Sequence, residues 1–191
     1  MNILHLDSSI NGENSASRTL SAAIVRELRS AEPNAALTYR DLVLDPLDHL
    51  TLPGFGTEQS QQALADFQAA DVIVIGTGMY NLSVPSQLKA WFDRVAIAGQ
   101  TFRYTENGPQ GLAGGKRVIV ALARGGLYGA ESAARALDHA ESYIAAFFGF
   151  LGVTDIQFVI AEGLAIGPEQ RKAALEQAHA VVGRLFPASV S

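Results

Sequence analysis

The chain has 191 residues, 48% of them hydrophobic and 17% charged, with a formal net charge of -5 and no cysteine. That length favours a single domain, taken as residues 1–191, with enough apolar material for a substantial core. The negative charge without any long Lys/Arg cluster argues against a nucleic-acid partner, and the missing thiols exclude disulfides, thiolate metal sites and cysteine nucleophiles, so any redox chemistry must sit on a bound cofactor.

Strand-like and helix-like runs alternate from end to end. Residues 2–7 read as a strand, with no basic segment ahead of it and a polar loop behind it, unlike a signal peptide. Residues 17–31 read as a helix, 36–41 as a second strand, 59–69 as a helix and 72–76 as a third strand. Residues 86–98 are helical, with Leu88, Trp91, Phe92 and Val95 at i, i+3, i+4 and i+7. Residues 116–123 form a fourth strand, 133–150 a long helix and 153–160 a fifth strand. The last helix spans 168–185, with proline in its first turn. No run approaches the roughly 18–20 apolar residues of a membrane span. The expectation is a soluble cytoplasmic protein without a membrane partner. The histidines (His5, His49, His139, His179) are scattered without ligand spacing, so no metal site is expected, and His5 reads as a packing residue in the first strand.

This alternation implies an α/β fold: a doubly wound, five-stranded parallel sheet with helices on both faces. Ligands of such sheets sit beyond the carboxyl ends of the strands, where the strand order reverses. The loops starting at Ser8, Thr77 and Arg124 are therefore the candidates for chemistry. Segments 42–58 and 99–115 break the alternation and read as long irregular connections. The second carries the aromatic pair Phe102 and Tyr104, suited to walling a pocket or meeting a second subunit.

The loop after the first strand offers Ser8, Ser9, Asn11, Asn14 and Ser15 before Ser17 at the expected helix cap. A helix N-terminus with added hydroxyl donors suits a phosphate. It is neither a Walker loop nor G-x-G-x-x-G, which lowers the odds of an NTPase or a Rossmann dehydrogenase; the bland reading is a polar turn with a serine cap. The loop after the third strand carries Met79, Tyr80 and Asn81 and no carboxylate, unlike a phospho-accepting metal pocket. Asn81 both donates and accepts, which suits the edge of a flat heterocycle, while Met79 and Tyr80 either pack on that ring or face the core. Together the two loops point to a bound mononucleotide, FMN first. Arg124-Gly125-Gly126 follows the fourth strand. Its glycines permit close backbone approach and positive φ, and Arg124 either stabilises charge gathered on a reduced flavin or pairs with a carboxylate.

Ser9, Ser15-Ala16-Ser17, Met79-Tyr80-Asn81-Leu82, Gln87-Leu88-Lys89, the string from Thr101 to Pro109, Arg124-Gly125-Gly126, the string from Phe148 to Gly152 and Ala161-Glu162-Gly163 together resemble the bacterial FMN-dependent NADH:quinone oxidoreductase / NADH-azoreductase family over nearly the whole chain. The resemblance implies a flavodoxin-like fold and a homodimer with non-covalent FMN near the subunit interface. It implies that Ser9, Ser15, Ala16 and Ser17 hold the phosphate and ribityl chain. Met79, Tyr80, Asn81 and Leu82, with Ala123, Arg124, Gly125 and Gly126, would line the isoalloxazine. Tyr104 and Phe150 would be substrate-pocket aromatics, with the subunit whose flavin they serve left open. Family strings Ser-Gln-Ser, Met-Tyr-Asn-Phe and Ser-Arg-Gly-Gly stand here with Ala16, Leu82 and Ala123 in place of glutamine, phenylalanine and serine, departures that bear on substrate range.

The implied activity is ping-pong, two-electron transfer from NADH through FMN to quinones or azo compounds, without an identifiable catalytic acid or base. Tyr128 is a weaker candidate for a polar contact with substrate, against a plain surface role. The reading from another class is a flavodoxin-type FMN electron shuttle that turns over no organic substrate; a flavin-free module of the same fold is the third.

Overall fold

The computed structural model describes residues 1–186; the last five positions of the expected 1–191 domain lie outside the described residues. Among the described residues the elements run β1 (Asn2–Asp7), α1 (Ala16–Ala31), β2 (Ala36–Asp41), α2 (Glu58–Ala69), β3 (Val72–Gly78), α3 (Ser86–Val95), β4 (Phe102–Thr105), β5 (Gly108–Gly111), β6 (Arg117–Ala123), α4 (His139–Phe150), β7 (Asp155–Ala161) and α5 (Pro168–Leu185). Period-two alternation inside the buried strands creates two apolar faces. On one, Val72, Val74, Ile119 and Ala121 meet Leu20, Ile24 and Leu28 of α1 and Ala174, Ala178 and Val182 of α5. On the other, Ile73, Ile75, Val118, Val120 and Leu122 meet Phe67, Trp91, Phe92 and Phe148 of α2, α3 and α4. Each of the buried valine, leucine, isoleucine and phenylalanine side chains contributes about 1.5–3 kcal/mol.

The five main strands are parallel, in the order β2-β1-β3-β6-β7. From β1 the chain moves to one side for β2 and then to the other for β3. The carboxyl ends of β1 and β3 therefore flank the reversal point of a doubly wound sheet. No described helix is long and apolar enough to cross a membrane.

Four expectations need correction. The long helix expected over 133–150 begins only at His139; residues before it are turns, with a short 3-10 turn at Arg135–Leu137. Alanine propensity suggested a helix there, but Asp138 caps α4 by accepting from the Ala140 and Glu141 amides at 2.9 and 3.1 Å. α3 ends at Val95, not at 98, because Thr101 Oγ1 donates to the Val95 carbonyl at 2.7 Å and accepts from the Ile97 amide at 2.9 Å. α1 is capped by Ser15, whose hydroxyl accepts from the Arg18 amide at 3.2 Å; Ser17 already lies inside the helix. The connection 99–115 is not irregular throughout, since β4 and β5 form an antiparallel hairpin. Gly108-Pro109-Gln110-Gly111 has almost no strand propensity, so tertiary packing carries it. A Cβ at Gly111 would lie 2.1 Å from the Gly152 nitrogen, so β5 packs backbone against backbone on the turn after α4.

Candidate functional site

The loop after β1 is held from below by a polar network. Asp7, buried at the end of β1, accepts from Ser21 Oγ at 2.9 Å and from the Tyr39 hydroxyl at 3.2 Å. Arg18 donates from Nη2 and Nε to the Ser9 carbonyl at 2.9 and 3.2 Å and pairs with Asp41 at 2.6 Å. Its charge thus fixes the loop rather than reaching into the ligand space. Hydrogen bonding from Arg18 holds the Asp41 carboxyl below the usual carboxylate range.

Burial, with the Asp7 carboxylate beside it, pushes the Tyr39 phenol up to about 12. Folding therefore favours neutral Tyr39. Its contribution to stability is complete below the ordinary value of 10.0 and is lost as pH rises through about 12. Urea unfolding of Tyr39→Phe across this alkaline window is expected to show a flatter loss of stability than the parent chain. Equal slopes for the two would contradict the assignment.

Ser8 Oγ donates to Thr77 Oγ1 at 3.0 Å, joining the loops after β1 and β3. The Tyr80 hydroxyl bonds Ser9 Oγ at 3.0 Å and accepts from the Ile10 amide at 3.2 Å. At the start of α1 the Ser15 and Ser17 hydroxyls lie 3.1 Å apart. The helix leaves the Ala16 and Ser17 amides without intrahelical acceptors, at its electropositive end. These donors suit an anion.

The loop after β3 makes a tight turn. Tyr80 and Ser83 exchange backbone hydrogen bonds of 2.9 and 3.1 Å across Asn81 and Leu82, whose φ values are +47° and +73°. Two left-handed central residues define a type I′ turn; asparagine tolerates this, whereas leucine strains to adopt it. The turn is tied at both ends, by Met79 N–H to the Ala123 carbonyl at 2.8 Å and by His139 N–H to the Leu82 carbonyl at 2.9 Å.

After β6 the structure corrects the free-cation reading of Arg124. The residue is 1% exposed, and its guanidinium pairs with Asp138, Glu141 and Glu162. Glu162 also accepts from the Tyr128 amide at 2.9 Å. The arginine ties together the loops after β6 and β7 and the cap of α4. The carboxylate-pairing alternative is the one observed, although the pair is buried. Gly125 and Gly126 are not in the left-handed region either; a Cβ at Gly125 would meet only Ala165 Cβ, at 3.5 Å.

A cavity of about 300 Å³ opens where these loops meet, and of the expected residues Ser9, Ser15, Ala16, Met79, Tyr80, Ala123, Arg124 and Gly125 are in its wall. Ser17 is buried just behind Ser15. Tyr80 also borders a neighbouring cavity of about 690 Å³, where Asn81 lies beside Val84, Lys89 and Tyr143. Leu82, Gly126 and Tyr128 are in neither wall. Tyr104 and Phe150 are not brought to these loops. Tyr104 is 77% exposed on β4, and Phe150 packs on Phe102 with ring centroids 4.5 Å apart. Sequence reading missed Leu164, Ala165 and Arg171, which complete the smaller cavity. Arg171 Nη2 donates to the Asn14 carbonyl at 2.8 Å, placing a cation beside the α1 terminus. The loop after β7 leaves the same end of the sheet as the other three, so the rule applied to them would have found it. No carboxylate lines this cavity. Its chemistry fits a phosphate at the α1 end and a flat heterocycle along the Met79 and Ala123 edges.

A model of the flavodoxin-like fold matches residues 1–185. The chain is 51% identical over 197 aligned positions to the FMN-dependent NADH:quinone oxidoreductase of Sinorhizobium fredii, covering 95% of each chain. It is likewise 51% identical to FMN-dependent NADH:quinone oxidoreductase 1 of Xanthomonas euvesicatoria pv. vesicatoria, over the full length of both. Among solved structures, the FMN-dependent NADH-azoreductase of Bacillus anthracis str. Ames Ancestor in complex with FMN is 25% identical and superposes with a TM-score of 0.83, over 97% of this chain and 100% of that one.

Proposed function

The chain belongs to the flavodoxin-like-fold family that includes the FMN-dependent NADH:quinone oxidoreductases, and from that premise we propose that it is an FMN-dependent NADH:quinone oxidoreductase that also reduces azo compounds. The observation that carries this reading is the convergence of four strand-end loops on one carboxylate-free cavity at the reversal point of the sheet. The residues present fit the cofactor: the unpaired amides of Ala16 and Ser17, the Ser9 and Ser15 hydroxyls and Arg171 suit its phosphate. When bound, FMN supplies hydride acceptance from NADH and two-electron delivery to a quinone or azo compound, in ping-pong order.

The chain itself binds and orients. Ser15 and the α1 terminus anchor the phosphate end. Met79, Tyr80, Ala123 and Gly125 fix the plane of the ring against a wall built on rigid strand ends. Tyr80 also fastens the phosphate loop through Ser9, so ring and phosphate positions are set together. No carboxylate or histidine lines the cavity, so no side chain there is identifiable as a catalytic acid or base. The proposal retains a cytoplasmic homodimer, with Tyr104 and Phe150 presented toward a partner's site.

The test is the visible spectrum after FMN addition and desalting, then after NADH and after benzoquinone without oxygen. A retained band that bleaches with NADH and returns with quinone is the expected result. A retained band indifferent to NADH would mark an electron shuttle, and no retained band would overturn the proposal. Gly125→Ala is expected to keep its unfolding midpoint, because the added Cβ would meet only Ala165 Cβ, at 3.5 Å, yet to lose FMN affinity by about tenfold or more. Unchanged FMN titration of that variant would place the ring elsewhere.

A further inference from the structure

Asparagine is followed by glycine at Asn11-Gly12 and at Asn107-Gly108. In such a pair the glycine nitrogen can reach the asparagine side-chain carbonyl carbon, because no Cβ shields it and glycine turns freely about φ. The two pairs differ in how firmly they are held. Asn107 sits in the two-residue turn of the β4–β5 hairpin, between the paired residues Thr105 and Gly108. Thr105 Oγ1 fastens that turn, donating to the Gly108 carbonyl at 2.7 Å and accepting from the Asn107 amide at 3.2 Å.

Asn11 and Gly12 are exposed, and Gly12 has φ +52° with nothing within 4 Å of an added Cβ. Among the described residues Asn11 is hydrogen-bonded only through its backbone, its amide to Ser9 Oγ at 3.4 Å and its carbonyl from the Asn14 amide at 3.1 Å. Its side-chain amide and the Gly12 N–H are thus both uncommitted there. The structure to be opened before they meet is the single 3-10 turn Gly12–Asn14, which costs little to lose. Asn14-Ser15, three residues on, is better protected: Ser15 is buried, and its N–H donates to the Gly12 carbonyl at 3.2 Å. Asn11 stands in the wall of the 300 Å³ cavity, with Ser9, Ser15, Ala16 and Arg171, in a lining that holds no carboxylate.

We propose that Asn11-Gly12 is a self-modification site that disarms the cofactor cavity of the apo protein. The Gly12 nitrogen bonds to Asn11 Cγ and gives up its proton. The Cγ–Nδ2 bond breaks, and the side-chain nitrogen leaves as ammonia. Water then opens the five-membered imide at either carbonyl, giving aspartate or isoaspartate. Nothing is oxidised or reduced. Either product sets a carboxylate beside the α1 terminus, where it repels an anion. A phosphate bound to the Ala16 and Ser17 amides orders the loop and slows the step. This last consequence rests on the FMN reading of the cavity; the covalent step does not.

The full chain, apo and loaded with FMN, is warmed at mildly alkaline pH, and peptide mass spectrometry follows conversion at each asparagine. In the apo chain Asn11 should convert several times faster than Asn107 or Asn14, and FMN should slow Asn11 alone. FMN titration of the aged apo chain should show affinity lower by about tenfold. Asn11→Asp should reproduce that loss in fresh protein, and Asn11→Gln, whose longer side chain cyclises slowly, should hold its own starting affinity through ageing. Faster conversion at Asn107 or Asn14, no conversion at Asn11, or FMN affinity in Asn11→Asp equal to the parent's would each overturn the proposal. Fresh parent chain that retains no FMN would overturn the cofactor reading instead, while the apo conversion rates still decide whether Asn11-Gly12 is the modified pair.

Discussion

Arg124→Met is expected to destabilise the native state by about 3 kcal/mol, the cost of leaving the buried Asp138 carboxylate, with two partly exposed glutamates beside it, without their cation. Three acidic groups, Asp138, Glu141 and Glu162, would face one another with no charge between them. The damage should not stay local. Asp138 caps α4, Glu162 holds the Tyr128 amide, and the His139 amide beside the cap holds the Leu82 carbonyl. Loosening the cap therefore frees the turn at Asn81 and Leu82 as well as the loop of Gly125. Urea denaturation should show the midpoint falling, and FMN titration should show weaker retention even under conditions where the variant remains folded. A variant as stable as the parent would mean that the ion cluster contributes little beyond filling space.

Gly76→Ala is the second large effect. A Cβ on Gly76 would stand 2.1 Å from Asp7 Oδ1 and 2.7 Å from Ser21 Oγ. Neither neighbour moves freely: Asp7 sits inside the ladder of β1 and β3 and holds Tyr39, while Ser21 is fully buried on α1. Overpacking combined with a broken buried hydrogen bond should cost about 3 kcal/mol or more. The insertion would also force apart the ends of β1 and β3, on which both halves of the proposed cofactor cavity stand. Thermal unfolding and FMN retention should fall together. Loss of stability with normal FMN affinity would show that the cavity tolerates a shift of its floor.

The sheet was legible because its signal is local and repeated. Val72, Ile73, Val74 and Ile75 can only be a strand buried on both faces, and Pro168 marks the first turn of α5 without ambiguity. The hairpin was not, since Gly108-Pro109-Gln110-Gly111 becomes a strand only where Gly152 leaves room for its backbone. The start of α4 was misread for a related reason: alanines at 133, 134 and 136 favour a helix, and the competing cap at Asp138 gains its strength from Arg124, distant in sequence. Ser9, Ser15, Met79 and Tyr80 could be placed at the strand-end cavity because strand ends can be located from hydrophobic runs. The role of Arg124 depended on three acids arriving from α4 and the loop after β7. No pattern in Arg-Gly-Gly announces them.

The strand order has a kinetic consequence. Every pairing in the main sheet is parallel, so each joins segments separated by a whole crossover. β1 emerges first during synthesis, yet its two partners, β2 and β3, both follow it, and β3 comes only after α2. The β4–β5 hairpin alone can close quickly, on the order of microseconds. The chain must therefore hold its most apolar strand segments open while loop closures of high entropy cost accumulate. Refolding should be slow for a protein of this size, and its early species prone to associate through unpaired strand edges.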